Sequence, residues 1–305
     1  MARPVHGSDL TVFSAIALSS ARHIEVGLLD PALFHATYAA IALARNADAR
    51  PVVVWGRAGP HISIGPSQDA AAELDPAIEV PVVRRPLGGG AVWIDEWQYC
   101  YVLVAPLARA PRRPAEWFEW GLRPAIATYR RFGLRVERIE QDLWLAGRKI
   151  AGSGAATLGA CAVFASSFLI RFPSHRFTRC VRAPSVAYRA WLATGLARTM
   201  TDWESHQRPP GAAELGRAFR GAAQEQLGWR LRRSALDERE YALRDAALED
   251  MTSEDWTTGR QRVPGGIKLN ARSFLAEARC AGGTMRTLNV GGTIVRQEFT
   301  PAHRP

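Results

Sequence analysis

Two short stretches hold the residues best suited to chemistry. The first, Arg84 to Asp95, reads RRPLGGGAVWID. Its arginine pair offers fixed positive charge and planar forks that suit a carboxylate or a phosphate. Gly88, Gly89 and Gly90 let bare backbone come close to a ligand. One reading is an anion held over a glycine loop between two strands. The other is a hairpin with a basic, solvated stem. The second stretch, Gln141 to Gly154, reads QDLWLAGRKIAGSG. Ala146-Gly147 marks a tight turn between two apolar runs. Lys149 then falls just before Ile150, Ala151 and Gly152, so its ammonium either snorkels outward or aims at an anion. Asp142 sits upstream of it, as a hairpin aspartate or as a second polar group of the site. A third candidate is Cys180, whose neighbours Arg179 and Arg182 would lower a thiol pKa.

These residues need elements to position them. Met1 to Leu29 reads as a loop leading into a short strand. Asp30 and Pro31 open a helix to about Ala44. Strands follow at 52–55 and 62–64, and the run YCYVLVA over 99–105 is a buried strand by composition. Pro114 opens a helix to about Arg131, with Trp117, Trp120 and Leu122 on its apolar side. Further strands are expected at 135–139, 143–145, 149–153 and 162–170. Beyond Pro173 the chain changes character. Short helices are expected at 185–192 and 202–205, then Pro209-Pro210-Gly211 punctuates the chain. Amphipathic helices follow at 212–227 and 236–251, with Gly228 a stop for the first. Short strands around paired glycines fill 261–299, interrupted by a helix at 271–278. The sum is an α+β fold, a mixed sheet with helices packed on it. It divides into a catalytic domain over 1–205, a helical linker region over 206–258 and a small α/β accessory domain over 259–305.

Together the two stretches resemble the lipoate–protein ligase family, whose catalytic fold is shared with biotin ligases and octanoyltransferases. RRPLGGGAVWID is similar to that family's arginine-pair, triple-glycine motif, and DLWLAGRKIAGS to its lysine motif. The run PVVVWGRAGPHISIGPSQD from Pro51 resembles the strand pair before the glycine loop, and LLDPALFHATYAA from Leu28 the opening helix. The resemblance implies an enzyme that uses ATP, with Mg2+, to turn lipoate or octanoate into an acyl-adenylate. The acyl group then passes to a lysine of an acidic lipoyl-acceptor protein, such as a 2-oxoacid dehydrogenase E2 or a glycine cleavage H protein. By motif position Lys149 is the catalytic cation, while Arg84, Arg85, Gly88, Gly89, Gly90, Asp142 and Gly152 bind the substrate or the adenylate. No dedicated metal ligands are expected, since Mg2+ would ride on the phosphates. Trp55, Ile64 and Val92 neighbour these motifs and are candidates for the acyl slot. Related transferases work without ATP through a cysteine thioester, which makes a Cys180 octanoyl or lipoyl transferase the alternative. A non-catalytic lipoate-, biotin- or nucleotide-binding protein is a second alternative. The chain departs from the family pattern at Leu87, where serine is usual, at Gln141, where asparagine is, at Thr37-Tyr38, where a glutamate is common, and at Glu96-Trp97-Gln98.

The bulk properties fit this reading. A chain of 305 residues with 47% hydrophobic content supplies ample core, enough for one large domain and a small one. No apolar run is long enough to span a bilayer. Leu10 to Ala21 imitates a secretory core, but Asp9 and the interspersed serines dilute it and no clean cleavage site follows. Cys100, Cys161, Cys180 and Cys280 are scattered, with neither metal-ligand nor disulfide-framework spacing. A cytoplasmic setting is therefore expected. The formal charge is +10, yet basic runs and nucleic-acid motifs are missing, so nucleic acid is not the expected partner. The charge suits steering towards an acidic protein.

Overall fold

The computed structural model describes residues 19–252, 263 and 265–302. The secretory-like stretch up to Leu18, the boundary expected at 258/259 and the strand start expected at Gln261 lie outside the described residues. In chain order the elements are β1 (Ser19–Leu29), α1 (Pro31–Leu43), β2 (Val52–Ala58), β3 (His61–Ile64), α2 (Ala70–Glu73), β4 (Val82–Arg84), β5 (Val92–Ile94), β6 (Gln98–Pro106), α3 (Glu116–Arg131), β7 (Glu137–Ile139), β8 (Asp142–Leu145), β9 (Arg148–Ala151), β10 (Ser153–Leu158) and β11 (Cys161–Leu169). There follow α4 (Ser174–Cys180), α5 (Val186–Thr199), α6 (Ala212–Leu227), β12 (Trp229–Arg233), α7 (Glu238–Thr252), β13 (Gly266–Asn270), β14 (Ser273–Cys280), β15 (Gly283–Val290) and β16 (Thr293–Pro301).

A six-stranded mixed sheet, ordered β10-β11-β6-β2-β1-β12, is the frame. Side chains alternate across it, as period-two strands require. Val52, Val54, Cys100, Val102 and Val163 face one way, beneath Phe34, Tyr38 and Ile41 of α1. Val53, Trp55, Tyr101, Leu103, Phe164 and Phe168 face the other, beneath Leu122 and Tyr129 of α3 and Leu215 and Phe219 of α6. Helix α1 is apolar nearly all round because it is covered on both sides. The sheet lies below it and α7 packs outside, where Arg22 and Arg45 meet the fully buried Glu240 carboxylate. Asp30 accepts from the N–H groups of Ala32 and Leu33, so the cap and the Pro31 start are as the sequence indicates.

Three small sheets attach to this frame: β4-β3-β5, β7-β8-β9 and the antiparallel β13-β14-β15-β16. The last is anchored through a third core, in which Trp191, Leu192 and Leu196 of α5 pack on Ile267, Leu269 and Leu275.

The α+β class is as expected, but several elements differ from the sequence reading. The helix expected at 271–278 is strand β14, held between β13 and β15. Its alanines and glutamate favour helix locally, but pairing on both sides overrides that preference. The stretch 206–258, read as a helical linker, contributes α6 to one face of the main sheet and β12 as its sixth strand, parallel to β1. The helix expected at 202–205 is a turn, while Ser174–Cys180 forms a helix with no clear sequence signal. The strands flanking the glycine loop are not hairpin partners, because β3 lies between them, parallel to β4 and antiparallel to β5.

Candidate active site

The glycine loop crosses from β4 to β5 and is braced from below by Arg85. This arginine is buried and donates through Nη1 to the Ser63 carbonyl at 2.7 Å and through Nη2 to the carbonyls of Gly88 at 3.1 Å and Gly90 at 2.9 Å. The planar fork thus fixes the loop from one side. Arg84 donates to the carbonyls of Gly65, Pro66 and Gln68 at 3.2, 3.0 and 2.9 Å, securing the adjacent turn. Glycine is required where this loop passes closest to its neighbours. A Cβ on Gly65 would stand 2.6 Å from the Gly89 carbonyl oxygen, and Gly89 itself has φ +119°.

The lysine motif forms the β8–β9 hairpin. Its turn residues Ala146 and Gly147 both have positive φ, 49° and 75°, which matches the twist of a two-residue connection. The hairpin sets Lys149 Nζ 3.0 Å from Asp142 Oδ1. Asp142 Oδ2 accepts from the N–H of Ala271, at the tip of the β13–β14 hairpin, at 2.9 Å. The Lys149 carbonyl accepts from Thr201 N–H at 2.8 Å, which ties β9 to the end of α5. The Asp142 carboxylate therefore has both oxygens engaged, one by the catalytic candidate and one by the C-terminal sheet.

Between these elements lies a cavity of about 200 Å³ on the α1 face of the main sheet. Its floor crosses the strands in register: Gly154 on β10, Ala165 and Ser167 on β11, Cys100 and Val102 on β6, with Gly152 just ahead of β10. Adjacent strands are about 4.8 Å apart, so this floor runs roughly 10 Å from the Lys149 end to α1. Leu87, Val92 and Ile94 give it apolar walls, while Lys149, Asp142, Lys268 and Asn270 supply its charged and polar groups.

Under α1 the cavity ends on a polar chain. His61 Nδ1 lies 2.8 Å from the Gly59 carbonyl, which can only accept, so Nδ1 carries the proton. In the neutral ring Nε2 then accepts from His35 at 3.0 Å, and His35 Nδ1 accepts from the Tyr38 hydroxyl at 2.9 Å. Burial depresses both imidazoles, His61 to about 4 and His35 well below its ordinary value, with His61 and Arg85 pushing His35 further down. Burial raises the Cys100 thiol to about 12, so it stays protonated.

Of the residues singled out in the sequence, Arg85, Gly88, Gly89, Gly90, Asp142, Lys149 and Gly152 line this cavity, and Arg84 stands outside its wall. Val92 lines it, but the other two slot candidates do not. Trp55 points to the opposite face of the sheet, stacked on Phe219, and Ile64 is buried in the core beneath α5. Cys180 is buried at the end of α4 and does not line the cavity. Its thiol pKa is raised, because burial outweighs the nearby Arg179. The lowering expected from the flanking arginines therefore does not occur. Among the described residues no cluster of three or more His, Cys, Asp or Glu side chains could hold a metal ion, and no helix is long and apolar enough to cross a membrane. The sequence reading missed His35, Tyr38 and the β13 residues. Tyr38 was legible only within the Thr37-Tyr38 departure from the family pattern, His35 carried no signal, and β13 carried none stronger than paired glycines.

The family profile for the lipoyl protein ligase A/B catalytic domain matches residues 32–219. A search of curated proteins returns no match. Among solved structures, a Thermoplasma acidophilum bi-partite lipoate protein ligase, studied with its E2 lipoyl domain, superposes with a TM-score of 0.72 at 19% identity, covering 80% of this chain and 99% of that one. A lipoate-protein ligase A bound with ATP gives 0.67 at 17% identity, covering 79% and 99%. Plasmodium falciparum LipL1 in complex with lipoate gives 0.62 at 14%, covering 92% and 84%. The superpositions establish the shared fold, and the profile spans well over half of the sequence with both motifs inside it: the chain belongs to the lipoate–protein ligase family.

Proposed function

We propose that this protein activates lipoate or octanoate with ATP as an acyl-adenylate and transfers the acyl group to a lysine of a lipoyl domain. The observation that carries this reading is the Lys149–Asp142 pair, set at one end of an apolar-walled cavity and bounded by the glycine loop. An extended acyl chain fits the roughly 10 Å floor, with its carboxylate at Lys149 and its distal end beneath α1. In the first step a carboxylate oxygen attacks the α-phosphorus. The new O–P bond forms as the bond to the bridging oxygen breaks, and pyrophosphate leaves with the electron pair. In the second step the neutral acceptor amine attacks the acyl carbon and gives its proton to solvent, and AMP leaves with the electrons of the acyl–oxygen bond. Negative charge develops on the α-phosphate oxygens in the first step and on the acyl oxygen in the second. A fixed ammonium beside both stabilises each transition state more than its ground state. Asp142 holds Lys149 in place and is itself held by Ala271.

Mg2+ would arrive on the triphosphate. Among the described residues Asp142 is the one carboxylate lining the cavity and both its oxygens are engaged, so no protein ligand set is assigned and no step passes through the ion. The acceptor surface is expected to be acidic, complementary to the net charge of +10. A cysteine-dependent transferase finds no support in the placement of Cys180.

The test is acid-dependent ATP–pyrophosphate exchange with lipoate, octanoate and biotin offered separately, since it reads adenylate formation without the acceptor. Exchange with lipoate or octanoate is expected, and Lys149→Ala should abolish it. Exchange with biotin alone, or full exchange by the variant, would refute the reading.

A further inference from the structure

The composition carries a signal that the motifs do not. Of 39 basic residues, the only lysines in the chain are Lys149 and Lys268; the rest are arginine. Wherever this protein needs solvated positive charge, it uses arginine. An ammonium differs from a guanidinium in being a compact point charge on a flexible stem, suited to following a phosphate oxygen through a reaction. Both lysines line the same cavity. Lys149 comes from β9, and Lys268 comes from β13 of the C-terminal sheet. A small crevice bounded by Glu73, Gly90, Ala91, Gly266, Ile267 and Lys268 marks where β13 meets the glycine loop.

A second, independent observation concerns Asn270, two positions along the same strand. It lines the cavity and is 1% exposed. Its Oδ1 accepts from the Arg272 N–H at 2.9 Å, which fixes which end of the amide is oxygen. Its Nδ2 is then a buried donor with no acceptor among the described residues. A buried amide N–H left unmatched in a cavity wall is a donor waiting for a ligand oxygen. The next residue, Ala271, is bonded to Asp142 and so joins this strand to the Lys149 pair.

We propose that β13 supplies the second half of the anion site: Lys268 and Asn270 bind the polyphosphate of the nucleoside triphosphate, in the cavity that Lys149 also lines. The proposal rests on the ATP-dependent reading above and deepens it. It assigns the C-terminal sheet a direct part in nucleotide binding. Asn270 separates cleanly into two functions. Its oxygen closes the β-turn, and its nitrogen serves the ligand. Asn270→Asp keeps an acceptor for Arg272 and loses the donor while adding charge; Asn270→Ser also keeps an acceptor, and its hydroxyl ends one atom short of the Nδ2 position, so the amide donor is lost without added charge. Lys268→Met keeps the stem and removes the ammonium.

The experiment is calorimetric titration of the full chain with ATP, with pyrophosphate and with lipoate, alongside pyrophosphate exchange and thermal melting. For Lys268→Met the expected result is about 10–100-fold weaker binding of ATP and of pyrophosphate, the size of a lost charge-assisted bond, with lipoate binding unchanged. Asn270→Ser should weaken ATP binding about tenfold, with its melting temperature held. Wild-type affinity for ATP in both Lys268→Met and Asn270→Ser would overturn the proposal. If one variant fails to fold, the other decides. A wild-type chain that exchanges with no acid yet needs Lys268 and Asn270 to bind ATP would sink the ligase reading and leave this assignment standing. A wild-type chain that binds neither ATP nor pyrophosphate would sink both.

Discussion

Lys149 and Asp142 can be separated into a structural pair and a catalytic group by removing them singly and together. Their side chains are 15% and 7% exposed, and their charged atoms are 3.0 Å apart. Lys149→Met strips the shielded Asp142 carboxylate of its cation and leaves it the Ala271 N–H as hydrogen-bond partner among the described residues. Breaking a buried pair from one side costs about 3–5 kcal/mol. The residual hydrogen bond puts this case at the lower end, about 3 kcal/mol, or a drop of about 5 °C in melting temperature for a chain of this size. In the double variant with Asp142→Asn no charge is stranded, and the amide oxygen still accepts from Ala271. Stability should return to within about 1 kcal/mol of wild type. Catalysis should not return. Loss of a cation aimed at developing oxygen charge costs about 10²–10³ in rate, in the single and the double variant alike. Thermal melts and pyrophosphate exchange on the same preparations give both axes. If exchange recovered along with stability, Lys149 would be a structural partner of Asp142, and the mechanism drawn from it would fail.

Other expectations follow from the same geometry. Gly65→Ala places a Cβ 2.6 Å from the Gly89 carbonyl oxygen, and displacing the glycine loop should cost about 1–3 kcal/mol and lower exchange; unchanged exchange would show that the loop position is not critical. Cys180→Ala should keep exchange and acyl transfer within about twofold, since its site lies off the cavity; loss of transfer alone would revive a thioester route. Stability should fall on acidification. His61 and His23 titrate near 4 when folded against 6.5 in the open chain, both because of burial. Below pH 6.5 the unfolded chain takes up protons that the folded one refuses, so their contribution is full above 6.5 and is lost as the pH falls towards 4. The slope is up to about 1.4 kcal/mol per pH unit for each ring. Urea midpoints that stay level between pH 7 and pH 5 would contradict the buried, neutral assignment. Glu240→Gln strands the Arg22 and Arg45 guanidinium groups against a neutral amide at a fully buried position. It should destabilise by about 3–5 kcal/mol without altering exchange measured at low temperature.

What the sequence showed, and what it hid, divides along physical lines. Lys149, Asp142 and the three loop glycines lie in contiguous motifs, and local spacing was enough to bring them to one cavity. Helix α6 was legible to its last residue, because Gly228 takes the left-handed stop at φ 66°. The roles within the arginine pair were not, because which guanidinium braces the glycine loop depends on carbonyls of Ser63 and Gly90 that are set by tertiary packing. Of the acyl-slot candidates, Trp55 failed through parity. Trp55 is one residue from Val54, and in a strand that places it on the other face of the sheet. β14 was read as a helix because Ala276, Glu277 and Ala278 favour one, and nothing local announces the two strands beside it. Asn270 could not have been found by pattern, since an unmatched donor is defined only by its surroundings.

The pairing of β1 with β12 has a consequence for biosynthesis. Ser19 to His23 align with Trp229 to Arg233, so β1 leaves the ribosome long before the strand that covers its outer side. Until then β1 presents an open row of peptide groups, the kind of edge that recruits other chains. An expression fragment ended at residue 205 would keep every motif residue and leave that row uncovered for good, with Trp55 and Tyr101 stripped of Phe219 above them. The catalytic motifs are therefore made before the helix and strand that close the body carrying them.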